Sequence, residues 1–191
     1  MKRLFLDTSN KYLYIALFDG EKELVKVLME GNNNHSETLV DKLKETLASI
    51  MLKAQDLDEI YVGKGPGSYT GVRVSVTVAK VMAYTLNKPL YAFSSLDLIY
   101  TSNLSSDVTK VVMDARRGFS YAKVMELKND EVITILDESY IETEKLNELY
   151  DVKKLSIENN NYQPLLLLKY HLVKPVANIH NFVPTYLRSG V

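Results

Sequence analysis

Arg3-Leu4-Phe5-Leu6-Asp7-Thr8, Tyr12-Leu13-Tyr14-Ile15-Ala16-Leu17-Phe18 and Lys22-Glu23-Leu24-Val25-Lys26-Val27-Leu28 are three short runs dense in Leu, Ile, Val, Tyr and Phe. Turn-forming residues divide them, Ser9 and Asn10 first, then Asp19 and Gly20, so the three read as strands of an antiparallel meander. Beyond them, Asn34 followed by Glu37 supplies a helix N-cap pair, and Leu39, Leu43, Leu47, Ile50 and Ala54 recur at helical spacing. Residues 59–62 (Glu-Ile-Tyr-Val) predict a fourth strand, which runs into Gly63-Lys64-Gly65-Pro66-Gly67-Ser68-Tyr69-Thr70-Gly71. A second helix is expected over 71–86 and a fifth strand over 89–93.

Strand-strand-strand-helix-strand-helix-strand is the element order of a ribonuclease-H-like α/β layer, a mixed sheet flanked by helices. The second half begins in the same way. Residues 110–114, 119–127 and 132–136 predict three more strands, then a helix over 143–150 and a strand over 153–157. The repetition predicts two related lobes, residues 1–104 and a smaller 105–191, with the boundary in the Ser- and Asn-containing stretch near 101–108. Asn159 to Asn161 form a polar loop, and Pro164 starts a short final helix before an extended tail.

At 191 residues, with 46% hydrophobic and 25% charged residues, the chain has the make-up of an ordinary soluble globular protein with a real core. Lys plus Arg (23) balance Asp plus Glu (24), leaving a formal charge of -1 and no global field to draw in nucleic acid or an anionic membrane. The absence of cysteine excludes disulfide scaffolds, thiolate zinc sites and cysteine nucleophiles. Leu4 to Leu6 is too short an apolar run for a signal peptide, and Leu165 to Leu168 falls far below the roughly 18 residues of a spanning helix. A cytoplasmic protein away from membranes is expected.

The second helix carries alternating valines that a strand would also show, and length decides for helix. Val72, Val76, Ala79, Ala83 and Leu86 then share one face, while Arg73, Thr77, Lys80 and Tyr84 share another. Val74, Val78 and Val81 make a second apolar stripe. Two readings stay open: a helix buried between the sheet and the first helix, or a helix with one stripe on the sheet and the other on a partner.

The candidate chemistry is sparse. Asp7, Thr8 and Ser9 end the first strand, where a carboxylate and two hydroxyls suit a magnesium-bound phosphate; the same residues also make an Asx-type turn that needs no ligand. The glycine-rich loop leads into a helix N-terminus, but no register supplies the P-loop or dinucleotide spacing, so a tight structural turn competes with anion binding. A two-metal nuclease would need an acid at the end of the fourth strand, which ends in Tyr61, Val62 and Gly63. His35, His171 and His180 form no metal-binding pair, and Ser68 lacks the glycines of a nucleophile elbow.

Gly65-Pro66-Gly67-Ser68-Tyr69-Thr70-Gly71-Val72-Arg73 resembles the glycine-rich motif of the TsaB (YeaZ) family, and other landmarks follow in the family's order. They are Asp7-Thr8-Ser9, His35-Ser36 before the Leu39 helix, Asp114-Ala115-Arg116, and Pro184-Thr185-Tyr186-Leu187-Arg188. The resemblance implies an actin-like (ASKHA) duplicated ribonuclease-H-like fold. It also implies a non-catalytic subunit of the machinery that makes threonylcarbamoyladenosine in tRNA, a degenerate paralogue of the TsaD-like subunit that modifies the adenosine beside the anticodon.

Its implied partners are the TsaD-like subunit and then a TsaE-like P-loop ATPase, with homodimer and monomer both open for the chain alone, and tRNA reached only through the complex. It implies no metal and no cofactor held by this chain alone, ATP or ADP being placed at the interface with the TsaD-like partner. The implied partner surface lies on the first two helices, at His35, Ser36, Leu39 and Leu43, and at Thr70, Arg73, Val74, Thr77, Val78 and Val81. Phe119 stands where the family's glutamate is expected after Asp114-Ala115-Arg116, and Ser120 replaces an apolar residue. The competing class is an autonomous enzyme, an actin-like ATP-dependent phosphotransferase or a peptidase.

Overall fold

Three antiparallel strands open the chain in the computed structural model, which describes residues 1–31 and 35–188, with backbone only for 35–37. They are β1 (Lys2–Asp7), β2 (Tyr12–Asp19) and β3 (Lys22–Glu30), followed by α1 (His35–Ser49), β4 (Glu59–Gly63), α2 (Tyr69–Leu86), β5 (Leu90–Phe93) and α3 (Ser95–Tyr100). The second half holds β6 (Thr109–Asp114), β7 (Phe119–Lys128), β8 (Glu131–Glu142), α4 (Thr143–Leu149), β9 (Lys153–Leu155), α5 (Leu165–Lys169) and β10 (Val173–Pro175). The expected cap at Asn34 and Glu37 lies outside the described residues. Among those described, no helix is long and apolar enough to cross a membrane.

The first sheet has the order β10-β5-β4-β1-β2-β3, with β4 and β5 parallel to the β1 direction and β2 and β3 alternating. The second has the order β8-β7-β6-β9, again an antiparallel trio with one parallel strand beside its first member. The second sheet therefore repeats the β3-β2-β1-β4 portion of the first. This is the duplicated ribonuclease-H-like arrangement of actin-like folds.

Alternation along β1 sorts its side chains to two cores. Leu4 and Leu6 join Leu13, Ile15 and Leu17 beneath α1 and α2, where Leu39, Leu43, Leu47, Val72, Val76, Ala79 and Ala83 meet them. Phe5 points the other way, with Tyr14, Ala16 and Phe18, into a second core shared with α3 and with Val111, Met113, Met125 and Leu155 of the second sheet. The back of the first sheet is thus the floor of the second lobe. An ion pair reinforces the join: Lys123 Nζ on β7 lies 2.6 Å from Asp97 Oδ1 on α3, both side chains buried. Burial pushes the Asp97 carboxyl up from its ordinary value, against the pull of Lys123.

The 105–191 segment does not stay on the second sheet. β10 pairs antiparallel with β5 on the edge of the first sheet, and Val176, Ile179 and Phe182 then pack on the first core. Lys80 of α2 holds this tail by donating to the carbonyls of His180 (3.1 Å) and Phe182 (2.7 Å). α3 and β10 were not expected from the sequence. α3 is six residues with every one buried, and β10 is three residues on a sheet edge, so neither displays a one-sided apolar period. β8 runs on to Glu142, well past the predicted 136, because Phe119 to Ala122 offer it continued pairing.

Candidate functional site

The first element of the site is a knot between the end of β1 and the glycine-rich loop. Asp7 is 2% exposed, and its Oδ1 accepts the N–H of Ser9 (2.8 Å) and the Ser9 hydroxyl (2.6 Å). Its Oδ2 accepts the hydroxyl of Ser95 at 2.6 Å, from the first turn of α3. Thr8 Oγ1 donates to the carbonyl of Gly71 at 2.7 Å, and the N–H of Ser68 donates to the carbonyl of Ser9 at 2.6 Å. Ser9 and Ser95 thus supply three donors of the same chain to the Asp7 carboxylate.

The glycines are explained by this contact. A Cβ at Gly63 would fall on the Asp7 carboxylate, one at Gly67 on the Ser9 carbonyl, and one at Gly71 on the Thr8 carbonyl. At Gly67 and Gly71 one backbone segment lies directly against another, and at Gly63 the backbone lies against the Asp7 side chain. Ser68 completes the loop by accepting the N–H of Gly71 through Oγ at 3.3 Å, and so caps α2. The turn reading of Asp7, Thr8 and Ser9 matches these contacts. A metal-bound phosphate held by the three would have to displace Ser9 and Ser95 from the carboxylate, so these residues do not fit that group. Ser95 was missed in the sequence; its only signal was a Ser94-Ser95 pair before an apolar run, where Ser94 caps α3.

Beside the knot, between the lobes, lies a cleft of about 750 Å³. Its walls are Ser9 to Lys11 and Gly67 to Gly71 from the first lobe, and Met113 to Arg116, Tyr121, Ile157 and Arg188 from the far side. Lys11 is held at the rim by Glu158 (3.0 Å) and Glu30 (3.4 Å), chiefly by its bond to Glu158, which raises its pKa and lowers that of Glu158. Two buried phenols, Tyr14 and Tyr162, pack edge to face at 5.2 Å behind the knot, and burial pushes both well above the ordinary tyrosine value.

A second, shallower depression of about 340 Å³ lies on α2, lined by Tyr69, Thr70, Arg73, Val74, Thr77 and Val78. Six of the residues expected at a partner surface thus fall on one helix: Thr70, Arg73, Thr77 and Val81 are exposed, and Val74 and Val78 half-buried. Both readings of the second valine stripe hold in part, since Val74 and Val78 touch the first core as well as the depression. Leu39 and Leu43, placed on the same surface by the resemblance, are instead core residues, because with Leu47 they occupy the inward face of α1 while Val40 and Lys44 are exposed. The side chains of His35 and Ser36 lie outside the described residues.

The family model described as TsaD, tRNA N6-adenosine threonylcarbamoyltransferase, matches residues 29–188. The TsaB protein of Bacillus subtilis (strain 168), named a tRNA threonylcarbamoyladenosine biosynthesis protein, is 32% identical over 98% of this chain and 94% of its own length. A solved structure described as an uncharacterized protein with similarity to peptidase YEAZ from Pseudomonas aeruginosa superposes with a TM-score of 0.78 at 19% identity, covering 98% of this chain and 99% of that one. YeaZ from Pseudomonas aeruginosa gives 0.67 at 24% identity over 75% of this chain and 68% of that one. Fold and loop together define an actin-like, duplicated ribonuclease-H-like protein related to TsaD. Within that class, the chain belongs to the TsaB (YeaZ) family.

Proposed function

We propose that the chain is a non-catalytic subunit in tRNA threonylcarbamoyladenosine synthesis, which pairs with a TsaD-like catalytic paralogue and supports threonylcarbamoyl transfer to the adenosine beside the anticodon. The observation that carries the reading is the engagement of Asp7. The carboxylate where an actin-like enzyme would hold a metal-bound phosphate is taken up by Ser9 and Ser95, so the motif closes the fold instead of serving a substrate. The names of the relatives supply the pathway.

The pairing surface is the outward face of α2, with Thr70, Arg73, Val74, Thr77, Val78 and Val81 around its shallow depression, and the neighbouring outward face of α1. Exposed valines there lose water on association, which favours a protein partner. A TsaE-like P-loop ATPase engages the pair, ATP or ADP belongs at its interface, and a homodimer through the same face is the state in the partner's absence.

Reconstitution with the TsaD-like subunit of the same organism tests the role: tRNA modification requires both chains, and full modification without this one overturns the proposal. Val78→Glu places an unpaired carboxylate in the depression and weakens the pair by about 3 kcal/mol. Thr77→Arg, at an exposed neighbour without a core contact, gives the same loss of association in a chain whose circular dichroism is unchanged. Normal association of both variants in sedimentation would move the pairing surface elsewhere.

A further inference from the structure

Arginine is scarce in this chain and unevenly placed. Of its five arginines, Arg3 sits near the start of β1 in an ion pair with Glu59 at 3.0 Å. The other four, Arg73, Arg116, Arg117 and Arg188, are all exposed, and among the described residues no ion pair holds any of them. Arg116 and Arg188 line the interlobe cleft, Arg117 follows on the same turn, and Arg73 lines the adjoining depression. Tyr69 lines both hollows. Among the described residues Asp114 is the one acid in the cleft wall, and its Oδ1 is engaged by the N–H of Arg116 at 2.8 Å.

Exposed tyrosines stand between these arginines. The rings of Tyr69 and Tyr186 lie 5.3 Å apart, 42% and 46% exposed. The guanidinium of Arg73 is 5.1 Å from the Tyr69 ring, and its Nη1 donates to the Tyr69 hydroxyl at 2.7 Å. Tyr121 lines the cleft beside Arg188, whose charge partly offsets the burial that raises this phenol. Arg116 and Arg117 also hold left-handed backbone, φ 66° and 56°, where glycine or asparagine would be unstrained. Among the described residues, no hydrogen bond or ring contact is seen for either side chain.

We propose that this arginine–tyrosine surface binds single-stranded RNA, with phosphates at Arg116 and Arg188 and bases on the Tyr69–Tyr186 pair. The inference rests on the reading of the chain as a tRNA-modification subunit, and it adds a direct RNA contact to that reading. Guanidinium groups match phosphate oxygens, and exposed aromatic faces stack on bases, whereas an acidic peptide would have no use for the tyrosines. The depression around Arg73 belongs to the protein partner, so the phosphate contacts are those of Arg116 and Arg188 in the interlobe cleft. With a net charge of -1, the chain attracts RNA only locally, so its own affinity is weak and shows best at low salt.

The test is binding of an unmodified tRNA transcript to the full chain, by fluorescence anisotropy across a salt series, with ultraviolet crosslinks mapped by mass spectrometry. Crosslinks at Tyr69, Tyr121 or Tyr186 are expected. The Arg116→Gly/Arg188→Ala double variant should bind about 10-fold more weakly, with a salt slope smaller by roughly 0.7 per lost phosphate contact. Arg116→Gly relieves the left-handed strain, so weaker binding in a chain whose melting temperature is unchanged or higher is not unfolding. Unchanged affinity and salt slope in the double variant overturn the proposal. So does displacement of the tRNA by ADP alone, which would make this a mononucleotide site, or by polyglutamate as readily as by RNA, which would make it an acidic-peptide site. RNA binding through these arginines in a chain dispensable for modification would sink the functional reading and leave this surface standing; a chain required for modification but without RNA affinity would do the reverse.

Discussion

Asp7 and Asp114 each close the first strand of their sheet, and each turns the chain by accepting the N–H two residues on, at 2.8 Å in both. The same local device sits in opposite settings. Around Asp7 the fold brings Gly63, Gly67, Gly71 and Ser95 into contact, and the turn is sealed. Around Asp114 the described residues of the second lobe hold no long helix after β9 and no glycine-rich loop, and the turn is exposed and carries two arginines. The first lobe uses its turn to hold itself together; the second leaves its turn open to solvent.

The sharpest way to break this comparison is at the glycines. Gly71→Ala drives a Cβ into the Thr8 carbonyl and should cost on the order of 3–5 kcal/mol, whereas Gly118→Ala meets nothing within 4 Å and costs only about 1 kcal/mol for its positive φ. Denaturant unfolding of the two variants measures both, and equal losses would mean that the interlock contributes no special stability.

A smaller contrast is expected at the two aspartates. Asp7→Asn replaces an acceptor of three hydrogen bonds with a group that turns an N–H toward one of the donors, and should lose about 2–3 kcal/mol. Asp114→Asn keeps its single turn bond at the surface and should change stability by less than about 0.5 kcal/mol. Thermal melts of both decide whether burial or the turn itself sets the energy.

The smallest effect has the opposite sign. Arg117→Gly, at φ 56°, should stabilise the chain by about 0.5–1 kcal/mol, the strain relieved less the extra freedom of glycine in the unfolded chain. A destabilised Arg117→Gly would show that the arginine supports the fold and is not held there for a ligand.

Much of this was legible because it is local. Strand alternation in 3–28, the helical spacing of Leu39, Leu43 and Leu47 and the inner face Val72, Val76, Ala79 and Ala83 are set by backbone period, and the order of elements followed from them. The glycine-rich loop was legible as a special place but not as to purpose: its residues read equally as a turn or an anion cradle. Nothing in positions 63–71 says that Thr8 and Ser9 will press their carbonyls against Gly71 and Gly67.

The repeated β-β-β-α-β order was legible in the chain itself, since periods act over a few residues and need no distant partner; at Asp7 an Asx turn was one of two readings, and the turn at Asp114 came only with the structure. Only the tertiary structure decided which turn is buried, that Leu39 and Leu43 face inward, and that Arg188 from the returning tail reaches the cleft of Arg116. Those outcomes depend on which surfaces meet once two sheets share a core, and segments far apart in the chain leave no periodic trace of the contact they will make.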